Sequence, residues 1–249
     1  MTEFKENRLY GDLAWLWPLV SDPADYAEEA SFWRKALKEK LGPGKHHILE
    51  LGVGGGNNLS HLTADFQATA VDLSPGMLEH SKRLNPKVEH KVGDMRTVRL
   101  DRKFAAVIIH DAIGYMKSEE ELESVIATAA AHLEPGGVFI TAPDYIKENF
   151  PGARISHVVS KRDDIDFGFG FVEYDYDKDP DDNQCESLLI YIINRQGTIQ
   201  VEHDLHTMGL FSIETWRKLF EQGGFSFETR DYPVEDDDRQ RHLFVGVKR

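Results

Sequence analysis

The apolar positions of the chain fall into three regimes. Up to residue 41 they recur at helical spacing: Leu9, Leu13, Leu16 and Val20, flanked by Trp15 and Trp17, run to a break at Pro18 and Ser21-Asp22-Pro23. A second face follows, made of Tyr26, Ala30, Trp33, Leu37 and Leu41, and stops at Gly42-Pro43-Gly44. Both runs read as helices laid over an apolar surface. From there strands and helices alternate. The pattern predicts strands at 47–51, 68–72, 88–91, 104–110 and 138–142, and helices at 57–63, 75–84 and 119–133. Glu134-Pro135-Gly136-Gly137 reads as the turn before the last of these strands. Such alternation implies βαβ units on a parallel sheet, and the almost wholly apolar run AAVIIH suits a central strand covered on both faces.

Between 154 and 210 the helical period vanishes. ISHVVS, FGFGFVEYDY, ESLLIYIIN and TIQVEHDLHTM alternate as strands do, separated by DKDPDDN and Arg195-Gln196-Gly197. They predict three or four antiparallel strands inserted into the α/β fold. A helix at 213–222 then stops at Gly223-Gly224, and strands at 225–232 and 242–247, joined by the charged loop EDDDRQR, predict an antiparallel hairpin on the sheet edge. The expected organisation is N-terminal helices over 1–44, an α/β core over 45–153, an inserted sheet over 154–210, and a return to the core over 211–249.

Composition narrows the class. With 249 residues and 41% hydrophobic content, the chain can build one large domain with an elaboration. Its formal charge of −14 repels phosphate backbones, which disfavours nucleic acid as a partner. A lone cysteine, Cys185, excludes an internal disulfide and thiolate zinc clusters. MTEFKENRLY lacks an apolar signal core, and no stretch approaches the ~20 apolar residues of a membrane span, so the sequence predicts a cytoplasmic protein without a membrane partner. His46 and His47 are adjacent on a strand and point to opposite faces, and no metal is predicted.

The chemistry concentrates in ILELGVGGGNNL. A buried strand runs into Glu50, Gly52, Gly54 and Gly56, and a helix opens behind them, so backbone N–H groups can lie against an anion. Asp72 ends the next strand, where an acid can accept hydrogen bonds from both ribose hydroxyls of an adenosine. A dinucleotide fingerprint counted from Gly52 would need glycine at the position held by Asn57. That substitution argues against an NAD(P)-dependent oxidoreductase, which stays an alternative together with a non-catalytic association protein.

In LELGVGGGNN, VDLSPGML, VGDMRTVRL, KFAAVIIHDAIGYM, HLEPGGV, the strand-rich insertion and the ending LFVGVKR, the chain resembles class I S-adenosylmethionine-dependent methyltransferases. It is most similar to small-molecule N-methyltransferases that dimethylate nucleotide-linked amino sugars. The resemblance implies S-adenosyl-L-methionine as cofactor, a Rossmann-like seven-stranded sheet with an antiparallel C-terminal hairpin, a helical N-terminal lid and an acceptor-side inserted sheet. It further implies that Glu50 and the backbone of Gly52, Val53 and Gly54 hold the methionine end and that Asp72 holds the ribose. Leu73 and Met77 would flank adenine, Gly93, Asp94 and Met95 would meet its edge or face, His110 would lie beside the sulfonium, and Tyr10 would close from the N-terminal helix. Met77 reads equally as core filler.

An amine acceptor needs only to be neutral when it attacks, whereas a hydroxyl needs a base. O-methylation of a hydroxyl or carboxyl is the alternative within the class. The candidate catalytic residues are His110, Asp111, Tyr145 and His206, with Asp144 and His203 as further bases; Asp111 could instead cap the segment after it. Trp15, Trp17, Tyr145 and Phe150 are candidates for the acceptor pocket, and Arg154, Lys161, Arg162 and Arg195 for a basic face that would take a sugar-nucleotide diphosphate. The expected partner is a small-molecule acceptor, and the inserted sheet could also pair across a two-fold axis to give a homodimer.

Overall fold

The computed structural model describes residues 4–160, 167–234 and 240–249. The N-terminal segment runs through short 3-10 turns, Arg8–Tyr10 and Ala14–Leu16, into a single α-turn, α1 (Trp17–Val20), and a further 3-10 turn, Pro23–Tyr26. The continuous first helix expected from the spacing therefore does not form. Asn7 sits at φ 54°, Gly11 has no helical backbone angles, and Pro18 allows a helix to begin but not to pass through it. Helix α2 (Ala27–Leu41) follows and ends, as the sequence indicates, on Gly42 at φ 71°.

The core then builds in order: β1 (His47–Leu51), α3 (Asn57–Ser60), β2 (Gln67–Asp72), α4 (Pro75–Leu84), β3 (Glu89–Val92), β4 (Phe104–Ile109), α5 (Glu119–Ala131) and β5 (Leu133–Thr141). Glu134-Pro135-Gly136-Gly137 belongs to β5 instead of forming a separate turn. The pairing of β4 with β5 shifts register between Phe104 and Ala106, and Gly136 at φ 83° absorbs the extra residues as a bulge. Four antiparallel strands form a separate sheet: β6 (Ala153–Ser160), β7 (Phe167–Tyr176), β8 (Gln184–Arg195) and β9 (Thr198–Gly209). The chain returns through α6 (Ile213–Gln222), β10 (Glu228–Asp231) and β11 (His242–Val247). Part of the expected charged loop, residues 235–239, lies outside the described residues, as do Lys161 and Arg162.

The main sheet has the order β10-β11-β5-β4-β1-β2-β3. Strands β3, β2, β1, β4 and β5 are parallel, while β11 runs antiparallel to β5 and pairs with the edge strand β10. Because the chain turns outward in opposite directions from β1 and β4, a crevice opens at their carboxyl ends, the usual ligand position in such sheets. Two apolar layers fix it. Trp33 and Leu37 of α2 cover one face, and Trp216, Leu219 and Phe220 of α6 cover the other.

The N-terminal segment packs elsewhere. Leu9, Leu13 and Leu16 bury themselves against Phe169, Phe171, Leu189 and Tyr191 on the inner face of the inserted sheet. Lys5 and Asn7 also exchange backbone hydrogen bonds with Leu205 of β9, so the segment is strapped to that sheet's edge. Both the segment and the sheet thereby overhang the crevice.

Candidate active site

The glycine loop after β1 is shaped by contacts that admit no side chain. Gly52 has φ 70°, and a Cβ there would run into Ala112 and come within 2.8 Å of Met95 Cε. Gly56, at φ 79°, caps α3 and faces Ser81 and Asn85 so closely that a Cβ would collide with both. The N–H groups of Gly52 and Val53 donate to Val71 O at 2.8 and 3.1 Å, which draws the loop against β2. Asp72 then accepts Gly54 N–H at 2.7 Å and Ser74 N–H at 2.8 Å, one on each carboxylate oxygen. Burial pushes its carboxyl up, and those two N–H donors hold it back. Asp72 lines the cavity with acceptor capacity left over, as a carboxylate that meets a diol would need.

Glu50, at the end of β1, is 2% exposed, and its Oε2 has no hydrogen-bond partner. Burial, with the Asp72 and Asp111 charges reinforcing it and His110 opposing, raises its carboxyl to about 8. Asn58 Oδ1 and Nδ2 and Trp17 Nε1 are likewise buried without partners. These groups supply an orphaned acid beside orphaned N–H donors, which fits a ligand carrying an ammonium and a carboxylate on one carbon, the methionine end of S-adenosylmethionine.

A cavity of about 830 Å³ extends from this loop to the inner face of the inserted sheet. It brings together Tyr10, Glu50, Gly52, Val53, Gly54, Asp72, Leu73, Gly93, Asp94, Met95, His110, Asp111, Tyr145 and His206. Met77 does not join them: it is fully buried beneath Gly54, its Cε 3.7 Å from where a Gly54 Cβ would stand. Asp94 lines the cavity, but Arg96 grips its carboxylate at 2.7 Å and holds it below the usual range, while Arg96 also reaches Glu121 at 2.6 Å. Trp17 lines the wall, whereas Trp15 lies under Arg195, whose guanidinium carbon is 4.9 Å from the ring centre. Phe150 backs Tyr145 edge to face at 5.0 Å, and His203 packs on Phe4 away from the cavity. Of the expected basic face, Arg154 reaches the cavity.

Two polar networks line the cavity. In the first, Tyr10 OH lies 2.8 Å from Tyr115 OH, and Tyr115 OH lies 2.6 Å from His206 Nδ1. His206 Nε2 donates to Asp204 Oδ2 at 2.7 Å, and fully buried Asp204 also accepts the N–H groups of Arg8 and Leu9 at 2.8 and 2.7 Å. That pairing leaves Nδ1 as the acceptor for Tyr115. The second network surrounds His110: Glu29 Oε1 lies 2.8 Å from Nε2 and Asp111 Oδ1 lies 2.9 Å from Nδ1. Tyr145 donates its hydroxyl to Asp175 Oδ2 at 2.6 Å, and Ser187 donates to the other oxygen, so this tyrosine is an anchored wall.

Glu29, Tyr115, Asp204 and Asn58 escaped the sequence reading. A signal existed for two of them. Glu29 stands four residues before Trp33 and eight before Leu37, an acid on an apolar stripe. Asp204 and His206 are two apart on a strand and so share a face. Tyr115 and Asn58 carry no local mark of their partners.

A strand-ordered α/β sheet with a glycine loop, an acid ending the second strand and an orphaned buried acid defines a nucleotide-binding class of α/β protein. Residues 48–137 match the family described as Methyltransferase domain. The chain is 32% identical over 227 residues to the dTDP-3-amino-3,4,6-trideoxy-alpha-D-glucopyranose N,N-dimethyltransferase of Streptomyces venezuelae, covering 90% of this chain and 91% of that protein. Its fold is similar to the crystal structure of Streptomyces venezuelae DesVI, with 29% identity and a TM-score of 0.81 over 96% of this chain and 98% of the other. A sugar N-methyltransferase from Streptoalloteichus sp. aligns at 25% identity and a TM-score of 0.80, covering 100% and 95% of the two chains. The chain therefore belongs to the S-adenosylmethionine-dependent small-molecule N-methyltransferases. It is an enzyme, and S-adenosyl-L-methionine is its cofactor.

Proposed function

We propose that the acceptor is the amino group of a nucleotide-linked amino sugar, methylated twice. The observation that carries this reading is the single cavity joining the cofactor loop to the inserted sheet, with carboxylates at its acceptor end and Arg154 on the sheet wall. The relatives named for such sugars support it. Arg154 would meet the diphosphate, locally offsetting the acidic surface.

When bound, the cofactor supplies a methyl group activated by a positive sulfur. Glu50, Asn58 and Trp17 would hold its amino-acid end, Asp72 its ribose, and Leu73 and Met95 its adenine, so that the methyl faces the acceptor. Tyr10, Tyr145 and His206 would orient the sugar and exclude water. As the amine takes the methyl and the electron pair of the broken methyl–sulfur bond stays on sulfur, Asp111 would take the proton that the nitrogen sheds. Burial beside Asp144 raises that carboxyl to about 6, and the neighbouring His110 opposes the rise. His110 faces a carboxylate from each ring nitrogen and has no lone pair to offer, so the base role falls to Asp111.

In this reading residues 1–44 act as the lid, 45–153 with 211–249 as the cofactor-binding core, and 154–210 as the acceptor side. The inserted sheet's outer face exposes Ile155, Val159, Ile199 and Val201, each more than half exposed, and a homodimer pairing these faces would cover them. No helix among the described residues is long and apolar enough to cross a membrane, in keeping with work in the cytoplasm. The test is an acceptor panel of amino sugars, with and without the nucleotide, read as S-adenosylhomocysteine release and by mass for the methyl count. Turnover of the free sugar alone would sink the nucleotide-linked assignment, and a monomer by light scattering would sink the dimer.

A further inference from the structure

We propose that Glu29 is a positioning residue for methyl transfer: through His110 it holds the Asp111 carboxylate ionised and aimed at the acceptor nitrogen. The proposal rests on the N-methyltransferase reading and adds to it a residue of the lid-side helix. Glu29 projects from α2, 6% exposed; its Oε1 accepts the Tyr232 hydroxyl at 2.9 Å and lies within ion-pair distance, 2.8 Å, of His110 Nε2. On the far side of the ring, Asp111 Oδ1 stands 2.9 Å from Nδ1. A ring with a carboxylate at each nitrogen carries a proton on each, and is a cation. Trp33 and Tyr26 pack over it, with ring centres 5.2 and 5.9 Å away.

The charges around this ring come from every element packed on it. Glu29 comes from α2, Glu50 from β1, Asp111 from the turn after β4, Asp144 from the segment after β5, and Tyr232 and Arg241 from the connection between β10 and β11. Arg241 Nη1 lies 3.5 Å from Glu29 Oε1 and 4.0 Å from Asp144 Oδ1. Burial alone would strip the proton from His110, but the Asp111 and Glu29 carboxylates outweigh it and hold the ring well above its ordinary value. Glu29 itself stays far down, at about 2: burial opposes ionisation, and His110 and Arg241 overcome it. The consequence falls on Asp111. Buried against Asp144, it would stay protonated without a cation beside it. Glu29 keeps that cation charged, so the residue facing the acceptor can take a proton.

Glu29, His110 and Asp111 are also close enough to share a metal ion. A metal would need one imidazole nitrogen deprotonated, whereas here each nitrogen has a carboxylate oxygen within 3 Å, which favours a proton on both.

The test has two arms. Nitrogen-15 NMR of the ligand-free wild-type protein should show both His110 ring nitrogens protonated at pH 8, and in Glu29→Gln the ring should lose a proton below that pH. A neutral ring in the wild type, or zinc or magnesium binding that Glu29→Gln abolishes, would overturn the proposal. In the kinetic arm, Glu29→Gln should lower kcat roughly tenfold at pH 7, short of the loss expected on removing the proton acceptor itself. The acid limb of the rate profile should move to higher pH, with KM for S-adenosylmethionine unchanged and Glu29→Asp restoring most of the rate. An unshifted limb would overturn it as well. If the methyltransferase reading itself fails, neither S-adenosylmethionine nor S-adenosylhomocysteine binds in calorimetry, whereas the ring's charge is read with no ligand present.

Discussion

If Glu50 holds the cofactor's ammonium as proposed, its single carboxylate would report whether the cofactor has arrived. Buried, without a hydrogen-bond partner, and raised to about 8, it is mostly protonated at pH 7 in the ligand-free protein. An ammonium set against it favours the ionised form and draws the value down. Binding of S-adenosylmethionine at pH 7 should therefore release close to one proton, seen as a calorimetric enthalpy that varies with the ionisation enthalpy of the buffer. At pH 9, where Glu50 is already ionised, the release should vanish. Glu50→Gln should abolish it at both values and weaken binding about tenfold or more, since a charge-assisted hydrogen bond is worth ~1.5–3 kcal/mol. Asp111 makes the complementary prediction for turnover. With its carboxyl at about 6, kcat/KM should fall as pH drops through that value, because the protonated acid cannot accept a proton from the acceptor. A profile flat from pH 5 to 7 would remove Asp111 from the reaction. Glu50 and Asp72 were legible because the glycine loop and the following strand place them within one βαβ unit. Tyr115 was not, since its partners Tyr10 and His206 arrive from distant parts of the chain, and Glu29 showed only as an acid on an apolar stripe.

Among the elements, legibility followed local chemistry. Helix α4 begins at Pro75, as expected, because Ser74 caps it by accepting Met77 N–H at 3.2 Å and Pro75 has no N–H to leave unpaired. The four strands of the insertion were visible from their period of two, which lines their inner face with Phe169, Phe171, Leu189 and Tyr191. The N-terminal segment was misread as a helix because leucines three and four apart serve a chain of 3-10 turns on a sheet as well as they serve an α-helix. What holds that segment is Asp204, a fully buried side chain that accepts two of its backbone N–H groups and fixes His206. Asp204→Ala leaves those donors unpaired at ~1–3 kcal/mol each, enough to lower Tm by several degrees. It should also release Tyr10 and weaken cofactor binding, with thermal melts and calorimetry on the same samples as the check. A variant that melts earlier but binds normally would show that the strap stabilises the fold without serving the site.

For the whole molecule, the parallel sheet sets the crevice and the insertion roofs it, so one chamber is bounded by both sheets, where the proposed reading would bring cofactor and acceptor together. The N-terminal segment belongs to both bodies. It lies on the inserted sheet through Leu9, Leu13 and Leu16, while Ser74 Oγ donates to Tyr10 O at 2.5 Å and His80 Nε2 meets Ala14 O at 2.9 Å on the cofactor side. A hasp fastened at both ends cannot open for one guest without loosening the other. The order of binding should then be compulsory, with the cofactor expected to enter first, the acceptor second, and the acceptor to leave before spent cofactor is exchanged. Under the proposed double methylation, the two transfers become two separate visits. Quenched time courses should show the monomethyl product free in solution and later consumed, and product inhibition by S-adenosylhomocysteine should be competitive against the cofactor alone.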